Sequence, residues 1–138
     1  MFVLGTNVIS ELFRPRPDPK VMAWVGRLPG EDLFTTAVTR GELLFGLYCM
    51  PGGRRKADLR QGLAQLFEQE LAGHVLAYDG EAADAQAQIA AARCAQGRPI
   101  GMPDAMIAGI TRPHGATLAT RNVRDFEGCG IELVDPWQ

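Results

Sequence analysis

Four oxygen-bearing side chains lie at positions where a folded chain can gather them, although they are far apart in the sequence. Glu42 lies in the first turn of one predicted helix and Asp104 opens another, while Asn122 and Asp125 follow an apolar run that ends at Ala119. Carboxylate and amide oxygens with no histidine or cysteine beside them suit a hard cation such as Mg²⁺ or Mn²⁺. Such a cation activates water and stabilises charge on a phosphoryl group, so the chemistry indicated is metal-assisted hydrolysis.

Each acidic residue also has an ordinary structural interpretation. Glu42 can be a solvated helix residue, and Asp104 can be a first-turn anion that complements the helix dipole. Asp125 can be a turn residue. Because carboxylates at helix starts and in turns are common, spacing alone favours the structural interpretation for each of them.

The elements that would position these residues alternate along the chain. Short apolar or β-branched runs predict strands at 2–4, 33–38, 74–78, 116–119 and 131–134. Amphipathic or alanine-rich segments predict helices at 6–13, 20–27, 39–50, 54–71, 81–96 and 104–112, the last ended by Pro113.

This alternation is typical of an α/β protein with a parallel sheet covered on both faces. We therefore expect one domain over residues 1–138, a three-layer α/β/α arrangement with a mostly parallel, short-stranded sheet. Ligands of such sheets bind beyond the carboxyl ends of the strands. The residues after Leu4, after the 33–38 strand and after Ala119 should therefore converge.

Composition excludes several classes of protein. With 46% hydrophobic and 22% charged residues, the chain does not have the composition of a disordered segment. No apolar run approaches the ~20 residues that span a bilayer, and the opening carries Glu11 without a basic region, so we expect a cytoplasmic protein with no signal peptide. A net charge of −2 disfavours non-specific coating of nucleic acid. The three cysteines are odd in number and widely spaced, which favours buried thiols over a disulfide framework or a zinc site.

Four motifs occur in one order along the chain: LGTNVISEL at the start, TRGELLFGL around Glu42, GRPIGMPDAMIAG around Asp104, and LATRNVRDFEG followed by LVDPW near the end. Together they resemble the PIN-domain family, and closely the VapC toxins of bacterial toxin–antitoxin pairs, including the FitB-like branch. The resemblance extends from Met1 to Trp137.

The resemblance implies a metal-dependent endoribonuclease toxin that cleaves RNA and is neutralised by a cognate VapB-like antitoxin. It also implies a homodimer within a larger toxin–antitoxin complex and no association with a membrane. By the same resemblance, Glu42 and Asp104 are catalytic residues that bind Mg²⁺ or Mn²⁺ directly or through water, and Asp125 orients a ligand. The family places its last acid at either of the positions of Asn122 and Asp125. Polar residues beside the metal or along the RNA path map onto Asn7, Thr120, Arg121 and Asn122.

The chain departs from the family at Gly5. The family's first motif reads Asp-Thr-Asn and its Asp is a metal ligand, whereas this chain reads Gly5-Thr6-Asn7. Gly5 can mark a tight turn that needs a positive φ. Alternatively, it marks the loss of a ligand from an otherwise intact site, in an inactivated form of natural or engineered origin. The second interpretation predicts weakened metal binding and impaired nuclease activity with the fold preserved.

Two other functions are weighed against a nuclease, and one of them remains open. One is a non-catalytic PIN-fold binding module that sequesters an antitoxin or completes a repressor complex, and residual metal-dependent cleavage discriminates it from a nuclease. A nucleotide-binding α/β domain is rejected because the chain has neither GxGxxG nor a P-loop.

Two surfaces are candidates for macromolecular contacts. Arg14, Arg16 and Lys20 flank the first loop and can steer an RNA backbone toward the acidic residues. The proline-rich loop at 15–19 can form a groove for a partner helix. The apolar residues that would complete this groove are Val21, Trp24, Val25 and Leu28.

Overall fold

The computed structural model describes all 138 residues, and its strands form one five-stranded sheet. The strands are β1 (Phe2–Leu4), β2 (Leu33–Thr36), β3 (Val75–Leu76), β4 (Thr117–Ala119) and β5 (Glu132–Val134). They are ordered β3-β2-β1-β4-β5, and every neighbouring pair is parallel. The predicted parallel sheet is confirmed.

Six α-helices cover the sheet: α1 (Thr6–Leu12), α2 (Pro19–Gly26), α3 (Ala37–Cys49), α4 (Arg54–Gln65), α5 (Gly80–Ala95) and α6 (Met102–Thr111). Short 3₁₀ turns lie at Gly30–Asp32, Arg112–His114 and Val123–Phe126, and a π-helical turn at Leu66–Glu70 extends α4. None of the helices is both long enough and apolar enough to cross a lipid bilayer.

Two apolar cores, one on each face of the sheet, establish the three layers. On one face, Leu4 and Ala119 pack with buried residues of α1 to α4. On the other face, Val3 and Leu118 pack with buried residues of α5 and α6. Alternate residues of β1 and β4 therefore point to opposite cores, as the two-residue period of a strand requires. The three-layer α/β/α fold predicted from the sequence is confirmed.

Several element boundaries differ from the prediction, and strand β3, for example, spans Val75–Leu76 rather than 74–78. Strand β2 ends at Thr36 rather than at residue 38, because the Thr36 hydroxyl accepts the Thr39 amide at 3.0 Å and caps α3. The predicted helix at 54–71 gives way to the π-helical turn after Gln65. Helix α6 begins at Met102, two residues before the predicted start, and ends before Pro113 as expected.

Two expectations about burial are wrong. Val21 is fully buried in the core and cannot line the expected groove, whereas Trp24 packs edge-on against Phe2 at 5.4 Å but stays partly exposed in a pocket with Pro19 and Pro136. Cys129 is buried as expected, but Cys49 and Cys94 are exposed.

Strand order places a topological switch point in the middle of the sheet. The chain builds outward from β1 through β2 to β3, then returns to the other side of β1 with β4 and β5. Loops leaving β1 and β4 therefore diverge at the carboxyl ends of two adjacent strands, and such a divergence opens a crevice. Gly5 and Thr120 are the first residues beyond those strand ends.

Candidate functional site

A cleft of about 220 Å³ opens at this switch point, and we refer to it as the acidic cleft. It is lined by residues that follow β1, by one residue of α3, by two residues of α6 and by residues in and after β4. These are Gly5, Thr6, Asn7, Glu42, Asp104, Ile107, Leu118, Thr120, Asn122 and Phe126. The predicted convergence of loops from β1, β2 and β4 thus brings six of the eight residues singled out in the sequence to one cleft.

Glu42 reaches the cleft from the second turn of α3 rather than from the first, because the helix begins at Ala37. Its Oε1 accepts a hydrogen bond from the Thr6 hydroxyl at 2.7 Å. The Thr6 hydroxyl also lies 3.1 Å from the Thr39 hydroxyl, which is buried at the start of α3. A chain of two hydroxyl groups therefore fixes one carboxylate oxygen of Glu42 and joins α1 to α3 at the floor of the site.

Asp104 is the third residue of α6 and is half-buried in the cleft. Burial raises the pKa of its carboxyl group above the usual 3.8, and the charges of Asp125 and then Glu42 raise it further. The Arg93 guanidinium partly opposes this rise. The acidic cleft is therefore a region of negative potential in which a second charge of the same sign is unfavourable and a cation is favoured.

Gly5 lies between β1 and α1 with φ −73° and ψ 169°, which any residue can adopt. The interpretation that this glycine serves a positive φ is therefore wrong. A different structural constraint is present, because a Cβ at Gly5 would lie 2.9 Å from the Ala119 carbonyl oxygen. The backbones of β1 and β4 thus approach closely at Gly5.

The polar residues of the segment after β4 do not all reach the acidic cleft. Thr120 is buried, its hydroxyl accepts the Asn122 amide at 3.0 Å, and both residues line the acidic cleft. Arg121 lies over the ring of Trp137, at 5.1 Å, in a neighbouring pocket. Asp125 is exposed and does not line the cleft, although its charge acts on Asp104. Of Asn122 and Asp125, only Asn122 therefore lines the acidic cleft.

The oxygen-bearing side chains of the cleft are of the type that binds a hard cation, but the cleft contains only two carboxylates. Glu42 and Asp104 supply carboxylates, and Thr6, Asn7 and Asn122 add hydroxyl and amide groups. No three acidic, histidine or cysteine side chains come close enough together to hold a metal ion. The residues present therefore do not form a three-carboxylate site, and the position in the cleft that has no side chain is Gly5.

Sequence reasoning missed two residues that organise the site. In the sequence, Thr6 stands out only as the middle residue of the first motif, but its hydroxyl holds Glu42. Arg93 is 5% exposed, and it donates to the carbonyl oxygens of Arg98 at 2.8 Å, Asp125 at 2.9 Å and Glu127 at 3.1 Å. It therefore anchors the turn that carries Asp125. An arginine within an alanine-rich helix is the only signal in the sequence for this anchor.

Comparison with known proteins places these features in a family. A family model for the PIN domain matches residues 2–128. The chain is 39% identical over 138 residues to a Sinorhizobium fredii protein named VapC ribonuclease Y4jK, covering 100% of this chain and 99% of that protein. It is 35% identical over 137 residues to the toxin FitB of Neisseria gonorrhoeae, covering 99% of each. A solved structure of FitAB bound to an IR36 DNA fragment matches with a TM-score of 0.95 at 33% identity, covering 100% of this chain and 96% of that chain.

Proposed function

The chain belongs to the PIN-domain family, among the VapC- and FitB-type toxins of toxin–antitoxin systems, and we propose that it is a ribonuclease toxin disabled at Gly5. Its substrate class is RNA in the cytoplasm, and a VapB-like antitoxin is its partner. The observation that carries the proposal is the acidic cleft, where Glu42 and Asp104 converge beside a position that has no side chain.

The residues of the cleft have distinct roles in this proposal. Glu42, fixed by Thr6, and Asp104, half-buried in α6, would hold Mg²⁺ or Mn²⁺. When bound, the metal supplies activation of water and stabilisation of the phosphoryl charge. Asp125 orients this site from outside the cleft, through its charge and through its turn. Asn7, Thr120 and Asn122, which line the cleft, and Arg121, beside it, would contact the RNA strand or add polar groups around the metal.

The missing carboxylate at Gly5 weakens this site. A hard cation loses both a charge partner and a coordination position when one carboxylate is removed. A loss of ~3–4 kcal/mol corresponds to metal binding weaker by roughly 10²–10³-fold. We therefore expect cleavage to be strongly impaired while the fold, and any surface that binds an antitoxin, is retained.

An apolar groove beside the acidic cleft supports the antitoxin as partner. This groove, of about 770 Å³, lies between α1, α3 and α4 and is open to solvent. Phe13, Leu43 and Leu47 line it together with Arg54 and Arg55. An apolar floor with a basic rim suits an amphipathic segment that carries acidic residues.

The homodimer is the second assembly in this proposal. Phe45 and Tyr48, on the outer face of α3, are 72% and 65% exposed. Large exposed apolar side chains on one helix are typical of a surface that another chain covers. Light scattering of the purified chain and of a Phe45→Ser variant measures this directly, and the variant should shift toward the monomer.

A non-catalytic binding module is the alternative, and one observation favours it. The Ala119 carbonyl occupies the space that a side chain at position 5 would need, so the backbone is accommodated to glycine. Such a protein would sequester an antitoxin or complete a repressor complex without cutting RNA. Complete absence of metal-dependent cleavage in this chain and in a Gly5→Asp variant would favour the module.

Calorimetric titration with Mn²⁺ tests the metal site. Three proteins are compared: this chain, its Gly5→Asp variant, and the variant that also carries Asp104→Asn. We expect Gly5→Asp to bind Mn²⁺ roughly 10²-fold more tightly than the parent chain, and Asp104→Asn to remove that gain. Asp84→Asn, at an exposed position of α5 outside the cleft, is the matched control and should leave the Mn²⁺ affinity unchanged. Equal Mn²⁺ affinity of the parent chain and Gly5→Asp would refute the assignment of Gly5 as the missing ligand position.

A further inference from the structure

A second polar pocket lies near the acidic cleft, and arginines outnumber acidic residues in its lining. We call it the arginine pocket. It encloses about 500 Å³ and is lined by Arg14, Arg16 and Arg121 together with Trp137, Glu11 and Asp18. Three guanidinium groups and an indole in one concave surface are typical of sites that bind phosphate groups and bases.

The two acidic residues of this pocket are committed to local structure. Glu11 is 6% exposed, and its carboxylate accepts the Asp18 amide at 3.0 Å and Arg14 at 3.4 Å. The Asp18 carboxylate accepts the Lys20 amide at 2.8 Å and caps α2. Two salt bridges occur in the protein, and neither involves Arg16 or Arg121. The guanidinium groups of Arg16 and Arg121 are therefore not paired with a carboxylate and can bind an anionic ligand.

Trp137 fixes the orientation of Arg121. The guanidinium carbon of Arg121 lies 5.1 Å from the centre of the indole ring, within the range of a cation–π interaction. Trp137 is itself partly buried and held by its amide, which donates to the Asp135 carboxylate at 2.9 Å. A guanidinium held in this way loses less conformational freedom when it binds a phosphate, and its open face can stack on a base.

The arginine pocket and the acidic cleft have no lining residue in common, but two links join them. Arg121 lies in the chain between Thr120 and Asn122, both of which line the cleft. Arg14 lines the arginine pocket and also the apolar groove, which shares Thr6 and Glu42 with the cleft. The two sites therefore neighbour each other along the chain and across the apolar groove.

The charge of the acidic cleft explains why RNA would need the arginine pocket. The acidic cleft repels a phosphodiester, and the chain as a whole carries a net charge of −2. An RNA strand that reaches Glu42 and Asp104 needs a cationic contact close by to hold its backbone. Arg16 and Arg121 are the uncommitted cations in the pocket that adjoins the cleft.

We propose that the arginine pocket is the subsite that anchors single-stranded RNA, with a backbone phosphate bound by Arg16 and Arg121 and a base stacked on the Arg121–Trp137 pair. The inference rests on the proposed function, because it takes RNA as the substrate class. It concerns binding rather than cleavage, so it can be tested on a chain whose nuclease site is disabled.

The test is fluorescence anisotropy with a labelled oligouridine RNA of about 12 nucleotides, in EDTA so that no metal contributes. Arg16→Gln and Arg121→Gln are compared with Arg60→Gln, which removes the same charge from an exposed position of α4 outside all the sites described. We expect each pocket variant to weaken RNA binding about 3- to 10-fold. The slope of log affinity against log salt concentration should fall by about 0.7 for each phosphate that is no longer neutralised. Arg60→Gln should change the affinity less than about 2-fold.

A Trp137→Leu variant separates stacking from charge. It retains both arginines, and we expect it to lower RNA affinity about 3-fold or more with little change in salt dependence. Thermal melting of every variant checks that the fold is retained. The inference is wrong if the pocket variants bind RNA as Arg60→Gln does, or if the parent chain binds no RNA. It is also wrong if the pocket variants lose affinity for oligoglutamate but not for RNA, because the pocket would then recognise an acidic protein segment.

The RNA-binding measurements and the cleavage measurements can refute the subsite and the nuclease assignment separately. A chain that binds RNA through Arg16 and Arg121 but yields no active Gly5→Asp variant would retain the subsite and lose the nuclease assignment. A Gly5→Asp variant that cuts RNA, with no effect of the pocket variants on binding, would retain the nuclease and refute the subsite.

Discussion

The Gly5 amide donates to the Ala119 carbonyl oxygen at 2.9 Å, and this bond joins the ends of β1 and β4. A Cβ on Gly5 would lie 2.9 Å from the same oxygen. The backbone contact that closes the floor of the acidic cleft is therefore also the contact that crowds a side chain at position 5. Because the φ of Gly5 is ordinary, the obstacle is this carbonyl group and not backbone strain.

Replacing Gly5 by alanine tests this crowding without adding a carboxylate. We expect Gly5→Ala to lower the free energy of unfolding by about 1–2 kcal/mol, because the Ala119 carbonyl must move to admit the methyl group. The matched control is Gly41→Ala in α3, where a Cβ meets nothing within 4 Å. That control should stabilise the protein by about 0.5–1 kcal/mol through helix propensity. Urea denaturation measures both, and stabilisation by Gly5→Ala would contradict the crowding.

The hydroxyl of Thr6 is predicted to stabilise the fold through Glu42. Thr6→Ala removes the bonds to Glu42 and Thr39, so we expect a loss of about 0.5–1.5 kcal/mol in the free energy of unfolding. Thr6→Ser keeps the hydroxyl and should retain most of that stability. A double-mutant cycle with Glu42→Ala, which removes the acceptor oxygen, measures the coupling, and full additivity of the two substitutions would show that the 2.7 Å contact contributes nothing.

The raised pKa of Asp104 predicts a pH-dependent effect on stability. Since the folded protein holds this proton more tightly than the unfolded chain, stability falls as pH rises from 3.8 through the raised pKa. The cost then persists at neutral pH. In EDTA, Asp104→Asn should raise Tm by about 1–3 °C at pH 7, and this gain should vanish toward pH 3.8 as Asp104 protonates.

The helix dipole opposes part of this gain, since Asp104 lies in the first turn of α6. Asp84→Asn, at an exposed position of α5 outside the cleft, is the control and should leave Tm unchanged at both pH values. A Tm lowered by Asp104→Asn at pH 7 would mean that the dipole outweighs burial and the charges of Asp125 and Glu42.

Arg93 is predicted to be the strongest single anchor of the turn at 123–127. Arg93→Met leaves three carbonyl oxygens without their charged donor, so we expect a loss of about 3 kcal/mol or more in the free energy of unfolding. Hydrogen exchange should also accelerate at the amides of this turn. Arg98→Gln breaks an exposed salt bridge to Glu127 and an exposed hydrogen bond to the Arg124 carbonyl oxygen, both at 3.4 Å, and should cost less than about 1 kcal/mol. Equal losses for the two variants would contradict the anchoring role.

The sequence predicted the layers and the place of the cleft because those features follow from periodicity and strand order. Alternating strands and helices predicted the parallel sheet, and the carboxyl ends of β1 and β4 predicted where Glu42, Asp104 and Asn122 would meet. The end of β2 was misplaced because the apolar pattern continues through Val38, whereas the Thr36 cap starts the helix earlier.

Other features depend on contacts that no local pattern contains. Arg93 resembles a solvated helix residue until the turn at 123–127 folds back over it and buries its guanidinium group. The crowding at Gly5 arises from the pairing of β1 with β4, so a positive φ was the only structural explanation that the sequence offered, and it is wrong. Asp125 follows the expected strand, but the 3₁₀ turn directs it outside the cleft that Asn122 lines.

The most direct test of a disabled nuclease is Mn²⁺-dependent RNA cleavage by this chain beside its Gly5→Asp variant, without antitoxin. Circular dichroism of both proteins confirms a matched fold, and Gly5→Asp with Asp104→Asn serves as the inactive control. We predict that Gly5→Asp cuts RNA, that the parent chain cuts at least about 10²-fold more slowly, and that the control does not cut. Equal cleavage by the parent chain and Gly5→Asp would contradict the account, because the carboxylate at position 5 would then be dispensable.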